Sequence, residues 1–492
     1  MINRPTHVIR WGIILAVLWA IALLLSFTPP QASAHERSSL VVVLEKPGAG
    51  NRPEQSVEDL GGHVVREIPL VNGFSARVPR SAVRALRGAR GIKSVHRDRS
   101  YHLRSTTPVA PVTASTTLDA LRSTVDADGA EGGSADVALV DSGVAPVGAL
   151  KGRIVNGPDF STDGDEAALR NLDAFGHGTH LAGIVGAVAP KARIVNVKVA
   201  DREGSTSLVR LLSGIDWVAR RGDRDGLNVR VLNLAFGADT EGTYRDDPLA
   251  FAVERAWQQG LVVVAAGGNG GPTADGLDSP AWDPYVVAVG AADSGPTPAF
   301  ADDGIAPFSS GGSDTRSPDV VAPGVAILSL RVPGSYLDQA FPAARIGDGF
   351  RGSGTSQAAA VVSGAAALIA GDRPSLDPDE VKALLRAGAH RLPGTDSSLQ
   401  GAGVVDVAAS ETIAVPRHAD QKFAPARLGG SWGRRAPRVA YAVENPSSSR
   451  WSSSRWTSSR WTSSRWTSSR WTSSRWTSSR WTGFGWGDTP AP

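Results

Sequence analysis

Four short segments carry side chains that could do chemistry. Asp136-Val-Ala-Leu-Val-Asp141-Ser-Gly143 ends an apolar run on a carboxylate. By itself such an acid marks a strand-end turn, or an acid that binds a ribose hydroxyl. Gly176-His177-Gly178-Thr179-His180 sets an imidazole among glycines at a helix start. By itself it is equally a polar helix cap or two histidines sharing a metal. Gly354-Thr355-Ser356 opens a run of small residues over 357–370, where a serine also reads as an ordinary N-cap. Leu261-Val-Val-Val-Ala-Ala-Gly-Gly-Asn269-Gly is an apolar run with an amide at its tip. Together they supply an acid, an imidazole and a hydroxyl in the order Asp…His…Ser. That set is what acyl transfer by an activated serine requires.

Strand ends and helix starts must position these groups. From about 117 to 412, apolar runs occur at 135–140, 194–199, 229–235, 261–266 and 285–289. Between them, Leu208, Leu211, Leu212, Ile215 and Val218 mark one face of a helix. Leu249, Ala252, Val253, Ala256 and Trp257 mark another, which Gly260 ends. Nearly continuous apolar strands alternating with amphipathic helices predict an α/β domain, a parallel β-sheet with helices on both faces. Residues 39–103 read as a small α+β unit, with strands at 40–44, 61–68 and 73–78 and a helix after Ser81 as its N-cap.

The four segments in this order, each in its own context, resemble the subtilisin-type (subtilase) serine endopeptidases. The resemblance covers about 117–410 and rests on Val140-Asp141-Ser-Gly, His177-Gly-Thr-His180, Ala266-Gly-Gly-Asn269 and Gly354-Thr-Ser356. Residues 39–104 resemble the family's inhibitory propeptide, through Asn72-Gly-Phe-Ser-Ala76 and Val95-His-Arg-Asp98. The resemblance implies a subtilisin-like fold with Ser356 as nucleophile, His177 as base, Asp141 as its orienter and Asn269 as oxyanion donor. It implies that Ala235-Phe236-Gly237 pairs with substrate backbone as an added strand. It also places Asp278 at the base of the pocket for P1, the substrate residue before the scissile bond. A carboxylate there would favour Arg or Lys, and a solvent-facing loop acid is the other reading of Asp278. No cofactor is implied. Calcium is possible in the family, but His180-Leu-Ala-Gly-Ile-Val-Gly186 runs almost directly into Val188-Ala-Pro-Lys-Ala-Arg193, so the loop of the usual tight site is absent. Two further departures stand in the serine helix. Gln357 replaces the usual methionine and removes an oxidisable thioether. Ala360-Val361 replaces the usual Pro-His.

The ends of the chain bear on where it acts. Arg4 and Arg10 precede an apolar run over 11–27, and Ala32-Ser-Ala34 follows a Pro-Pro break. This predicts a signal peptide over 1–34, cleaved after Ala34, with a retained membrane anchor as the alternative. The absence of cysteine does not itself fix the compartment. Residues 35–104 hold 13 Lys/Arg against 7 Asp/Glu, while 105–446 hold 29 against 40. A basic segment beside an acidic domain suggests docking between a propeptide domain (35–104) and a catalytic domain (105–412), although independent solvated surfaces would carry the same charges. The family's propeptide junction falls near Arg104-Ser105. A linker (413–446) leads to a tail (447–492) repeating Ser/Thr-Ser-Ser-Arg-Trp, with seven Arg-Trp pairs from Arg450 to Trp481. A five-residue period gives no apolar face to helix or strand, so the tail reads as unpacked. Its residues fit a cell wall or an anionic surface, or an inert tail. Nothing favours nucleic acid as a partner.

The expectation is a secreted, extracellular serine endopeptidase made as a zymogen, acting on protein or peptide substrates and held by its own propeptide. The alternatives are a surface-binding protein with a vestigial peptidase domain and a membrane-tethered processing enzyme.

Overall fold

The computed structural model describes residues 38–102 and 115–426, apart from 132, 238–241, 275, 295–296, 298, 314 and 418. The leader, the Arg104-Ser105 junction and the Arg-Trp repeats lie outside the described residues.

The first unit is a four-stranded antiparallel sheet. Its strands β1 (Ser38–Glu45), β2 (His63–Ile68), β3 (Gly73–Pro79) and β4 (Ile92–Arg97) lie in the order β2-β3-β1-β4. Helices α1 (Arg52–Asp59) and α2 (Val83–Arg87) complete it around Val41, Val43, Val57, Phe74 and Leu86. Helix α2 starts later than the sequence suggests. Ala82, not Ser81, takes the N-cap, and no side chain caps it.

The second unit is built on an eight-stranded sheet. Five strands match the expected apolar runs: β6 (Asp136–Asp141), β8 (Ile194–Lys198), β10 (Val229–Leu234), β11 (Val262–Ala266) and β12 (Val287–Asp293). Three more are not among the expected runs: β7 (Ile154–Asp159) is half-buried, β13 (Gly304–Ile305) has two residues, and β14 (Val320–Pro323) is a buried apolar run of only four. The order is β13-β12-β11-β10-β6-β8-β7, with β14 also paired to β12. Every pairing is parallel except β12 with β13, so the sheet is mixed at one edge.

Two helix layers cover it. α3 (His177–Val188) packs on α6 (Thr355–Asp372), and α4 (Leu208–Arg221) packs on α5 (Pro248–Gln258). α6 is buried continuously from Thr355 to Ala370, which its Ala, Val and Gly sequence permits on all sides. Its approach to α3 needs Gly364, because a Cβ there would stand 2.6 Å from Val188 Cβ. α7 (Pro378–Gly388) starts with a full capping box between Asp377 and Glu380.

The two units share one interface. β5 (Ser100–His102) pairs antiparallel with β9 (Ser205–Ser207) just before α4. The Asp98 carboxylate accepts the Val209 amide at 2.9 Å and so caps α4 from outside it. Asp216 of α4 accepts the Leu70 amide at 2.8 Å. Val42, Leu44, Ile68, Leu70, Val71 and Tyr101 join the core cluster of the large sheet. Two cations lie over rings across the joint: Arg66 over Phe160 at 4.9 Å and Lys93 over Phe251 at 5.2 Å. Basic and acidic units therefore meet, largely through capped amides, apolar side chains and cation–ring contacts.

Beyond Thr412 the chain still packs on the large unit. Gln421 bonds Asp379 and the Tyr285 carbonyl, Phe423 stacks edge-on to Tyr285, and the Ala426 amide reaches Glu254. Part of the region expected as linker is thus a strap on the domain. Among the described residues no helix is long and apolar enough to cross a membrane.

Candidate active site

The strand register brings the chemistry to one edge of the sheet. Asn233 of β10 pairs with Leu139 of β6, which sets Ala235 level with Asp141 beyond the two carboxyl ends. Crevices at the carboxyl ends of parallel strands are where α/β sheets place ligands.

Asp141 is the last residue of β6, 1% exposed, and His177 is the first of α3, fully buried. His177 Nδ1 lies 2.8 Å from Asp141 Oδ1 and 3.1 Å from Oδ2. Donation from Nδ1 fixes the tautomer that leaves Nε2 as the basic nitrogen. A glycine after His177 is required here. A Cβ on Gly178 would stand 2.2 Å from the Gly143 carbonyl and 3.1 Å from Asp141 Oδ1.

A second carboxylate stiffens this pair. Asp173, 1% exposed, accepts the Gly176 amide at 2.7 Å and the Thr179 amide at 2.7 Å, capping α3. The Ser142 hydroxyl donates to Asp173 at 2.8 Å, accepts the Gly178 amide at 3.0 Å and lies 3.1 Å from Asp141. The Ser142 amide donates to Asp141 Oδ1 at 2.7 Å. Burial pushes the Asp173 carboxyl up, and its donors from Gly176, Thr179 and Ser142 oppose that. Sequence reasoning missed Asp173 and Ser142. A carboxylate four residues before a Gly-His helix start was the available signal.

His180 has a different task. Its Nε2 faces the carbonyls of Phe350 (3.0 Å) and Ile327 (3.3 Å), on the small sheet beside α3. Burial, and then the neighbouring His177, push its pKa down to about 3, so it is neutral at physiological pH. The two histidines do not converge as metal ligands. α3 runs unbroken from His177 to Val188.

Ser356 lies in the first turn of α6 with Gly354 at the N-cap, so it is not itself the cap. Its Oγ is 3.2 Å from the Ala235 carbonyl, beyond β10. Asn269 follows β11. Its Oδ1 accepts both the Thr355 amide and the Thr355 hydroxyl at 3.0 Å. The Thr355 hydroxyl in turn accepts the Gly268 amide at 3.2 Å. This bracing leaves the buried Asn269 Nδ2 with no hydrogen-bond partner in the described protein. Buried donors are rarely left this way, and a pre-set donor awaiting an oxyanion is one place where they are. Thr355 was read only as part of a motif; its bracing role shows in three dimensions alone.

Ala235, Phe236 and Gly237 are buried beside Ser356, and Phe236 is 2% exposed. Asp278 is half-buried and lies against Gly268, one residue from Asn269. A Cβ on Gly268 would stand 2.8 Å from Asp278 Oδ2 and from Ser310 Oγ. Gly268 also has φ of +112°, so only glycine suits the position on both counts. Asp278 therefore stands beside the Asn269 strand end.

Residues 132–403 match the model of the Subtilase family, more than half of the chain. The chain belongs to the subtilase family. It is 38% identical over 288 residues to serine protease AprX from Bacillus subtilis, covering 55% of this chain and 64% of AprX. It is 32% identical over 297 residues to subtilisin DY from Bacillus licheniformis, covering 58% of this chain and 94% of that protein. The crystal structure of fervidolysin from Fervidobacterium pennivorans, a keratinolytic enzyme related to subtilisin, superposes with a TM-score of 0.59 at 22% identity. That match covers 77% of this chain and 62% of fervidolysin, and it speaks for the fold alone. Against AprX and fervidolysin the subtilase chain thus spans less than two thirds of the relative's length. Its class is that of the family, the subtilisin-like serine endopeptidases.

Proposed function

We propose that this chain is a secreted serine endopeptidase made as a zymogen, and that it cleaves proteins through an acyl-enzyme on Ser356. His177 takes the Ser356 proton as the hydroxyl attacks the scissile carbonyl, and returns it to the leaving amine. Asp141 holds the imidazole in the needed tautomer and stabilises the imidazolium. The Asn269 Nδ2 and the Ser356 amide, at the N-terminus of α6, hold the tetrahedral oxyanion. Substrate lies along Ala235–Gly237 as an added strand, with Arg or Lys at P1 opposite Asp278.

The observation that carries this reading is the pairing of an Asp141-bound His177 with a braced Asn269 whose amide donor is unused. The zymogen reading is supported by the docked sheet of residues 38–102. Its C-terminal strand leads toward a junction near Arg104-Ser105, where self-cleavage would itself place Arg at P1. Secretion rests on the leader over 1–34, and the tail is assigned to a cell wall or anionic surface from its Arg and Trp content. No cofactor enters the chemistry.

Casein zymography of the wild type beside Ser356→Ala tests the core of the proposal. A clearing band that survives the substitution would sink it. In the same samples, N-terminal sequencing should find a mature start near Ser105 in the wild type and none in Ser356→Ala.

A further inference from the structure

We propose that Asp247 is a positioning residue for the P1 pocket, tying the loop that carries Asp278 to the start of α5. The inference rests on reading that loop as the pocket floor. Asp247 is 5% exposed and both its oxygens are used. Oδ1 accepts the Leu249 amide at 3.0 Å and caps α5. Oδ2 accepts the Ser279 hydroxyl at 2.5 Å and the Trp282 indole N–H at 3.2 Å.

Both loop partners act next to Asp278. Ser279 is its neighbour in sequence, and the Trp282 amide closes a turn onto the Asp278 carbonyl at 3.0 Å. The Asp278 amide itself bonds the Gly267 carbonyl at 3.0 Å, on the strand end that leads to Asn269. One end of the loop is thus pinned to β11 and the other to Asp247. A single side chain therefore joins the start of α5 to the loop read as the floor beneath the substrate side chain.

Helix capping alone does not explain a carboxylate here. Asn, Ser or Thr caps as well as Asp, and each avoids the cost of burying a charge. What they lack is a second strong acceptor, and the second oxygen is the one that holds the loop. Three donors on one buried carboxylate offset its desolvation and fix it in place.

Asp247→Asn tests this in the full-length, self-matured protein. Asparagine keeps the volume and the α5 cap but turns an N–H₂ toward both loop donors, which share Oδ2. Peptides with large P1 residues (Arg, Leu) are compared with one carrying Ala, which does not reach the floor. The ratio of kcat/KM, large over small, should fall about tenfold, mainly through KM. Trp282→Phe should shift the ratio the same way, and the double variant should be less than additive. A lower Tm with an unchanged ratio would reduce Asp247 to a helix cap and overturn the inference. Should Asp247→Asn fail to fold, Ser279→Ala removes one of the bonds from the loop side, and the same ratio decides. Asp278→Ala, run in parallel, separates the two readings. If it leaves the ranking of Arg against Leu as in the wild type, Asp278 does not set the P1 preference and the Arg/Lys reading is wrong. The large-to-small ratio still judges Asp247, because it does not depend on which large side chain is preferred.

Discussion

Gln357 stands next to the nucleophile candidate and is fully buried, yet neither end of its amide has a hydrogen-bond partner within the described protein. A buried amide left in this way costs on the order of 1–3 kcal/mol. Gln357→Leu should therefore raise stability by about that amount, measured by urea denaturation in a Ser356→Ala background that prevents autolysis. The same position sets tolerance to oxidation. The wild type should keep its activity in mild peroxide, while Gln357→Met should lose it as the thioether becomes a polar sulfoxide. An amide here thus trades stability for chemical resistance beside the candidate nucleophile. Equal peroxide sensitivity in the two proteins would refute that trade.

At the scale of elements, the seam between α5 and the loop before β12 hides a carboxyl pair. Asp283 is fully buried with Glu254 of α5, which is 2% exposed, as its neighbour. Burial first, and then the Glu254 charge, push the Asp283 carboxyl well above its ordinary 3.8, and Arg316 opposes this. Asp283 Oδ2 has no hydrogen-bond donor among the described residues, and a proton held between the two acids would supply one. The native state then keeps a proton that the unfolded chain gives up near pH 3.8. The pair's contribution is fully present below that pH and is lost as pH rises through the raised native value. Each tenfold change in proton affinity is worth about 1.4 kcal/mol. Asp283→Asn should therefore flatten the decline of Tm as pH rises above 3.8; an unchanged slope would show that both acids are ionised in the native protein. The cluster at Asp319 has the opposite sign. Burial alone would raise that carboxyl, but Arg316 and Lys382 outweigh it and hold it far below the ordinary range, so its contribution is lost on acidification.

Across the whole molecule, the peptidase unit extends beyond its last helix. The strap over 421–426 bonds Asp379 at 2.9 Å, the Tyr285 hydroxyl donates to the Phe423 carbonyl at 2.8 Å, and the Ala426 amide reaches both oxygens of Glu254 at 2.7 and 2.9 Å. Tyr244 also donates to the Ala424 carbonyl. These bonds converge beside the Asp278–Tyr285 loop, which Asp247 holds from its other end. Truncation after residue 419 should lower Tm by several degrees, whereas truncation after 427 should cost little. Equal melting of the two truncations would show that the strap adds no stability.

Much of this protein is legible along the chain, because its decisive features are local. Carboxylate, imidazole, amide and hydroxyl each sit in a short segment where an apolar run meets glycines, and strand–helix alternation states the α/β fold. The half-buried β7 and the two-residue β13 escaped because they hold no continuous apolar run, and β14 because four apolar residues ending in proline are too short to separate from a loop. What orients the site was decided only in three dimensions. Ser142 meets Asp173 across 31 residues, Asn269 meets Thr355 across 86, and Asp247 meets Ser279 across 32. Glu254 meets Ala426 across 172. Hydrogen bonds between such distant positions leave no spacing to read, because the sheet register and the packing of α3, α5 and α6 create them. The sequence by itself determined which groups are candidates for the chemistry. Tertiary structure decided how they are braced, since bracing depends on distances that only the folded chain defines.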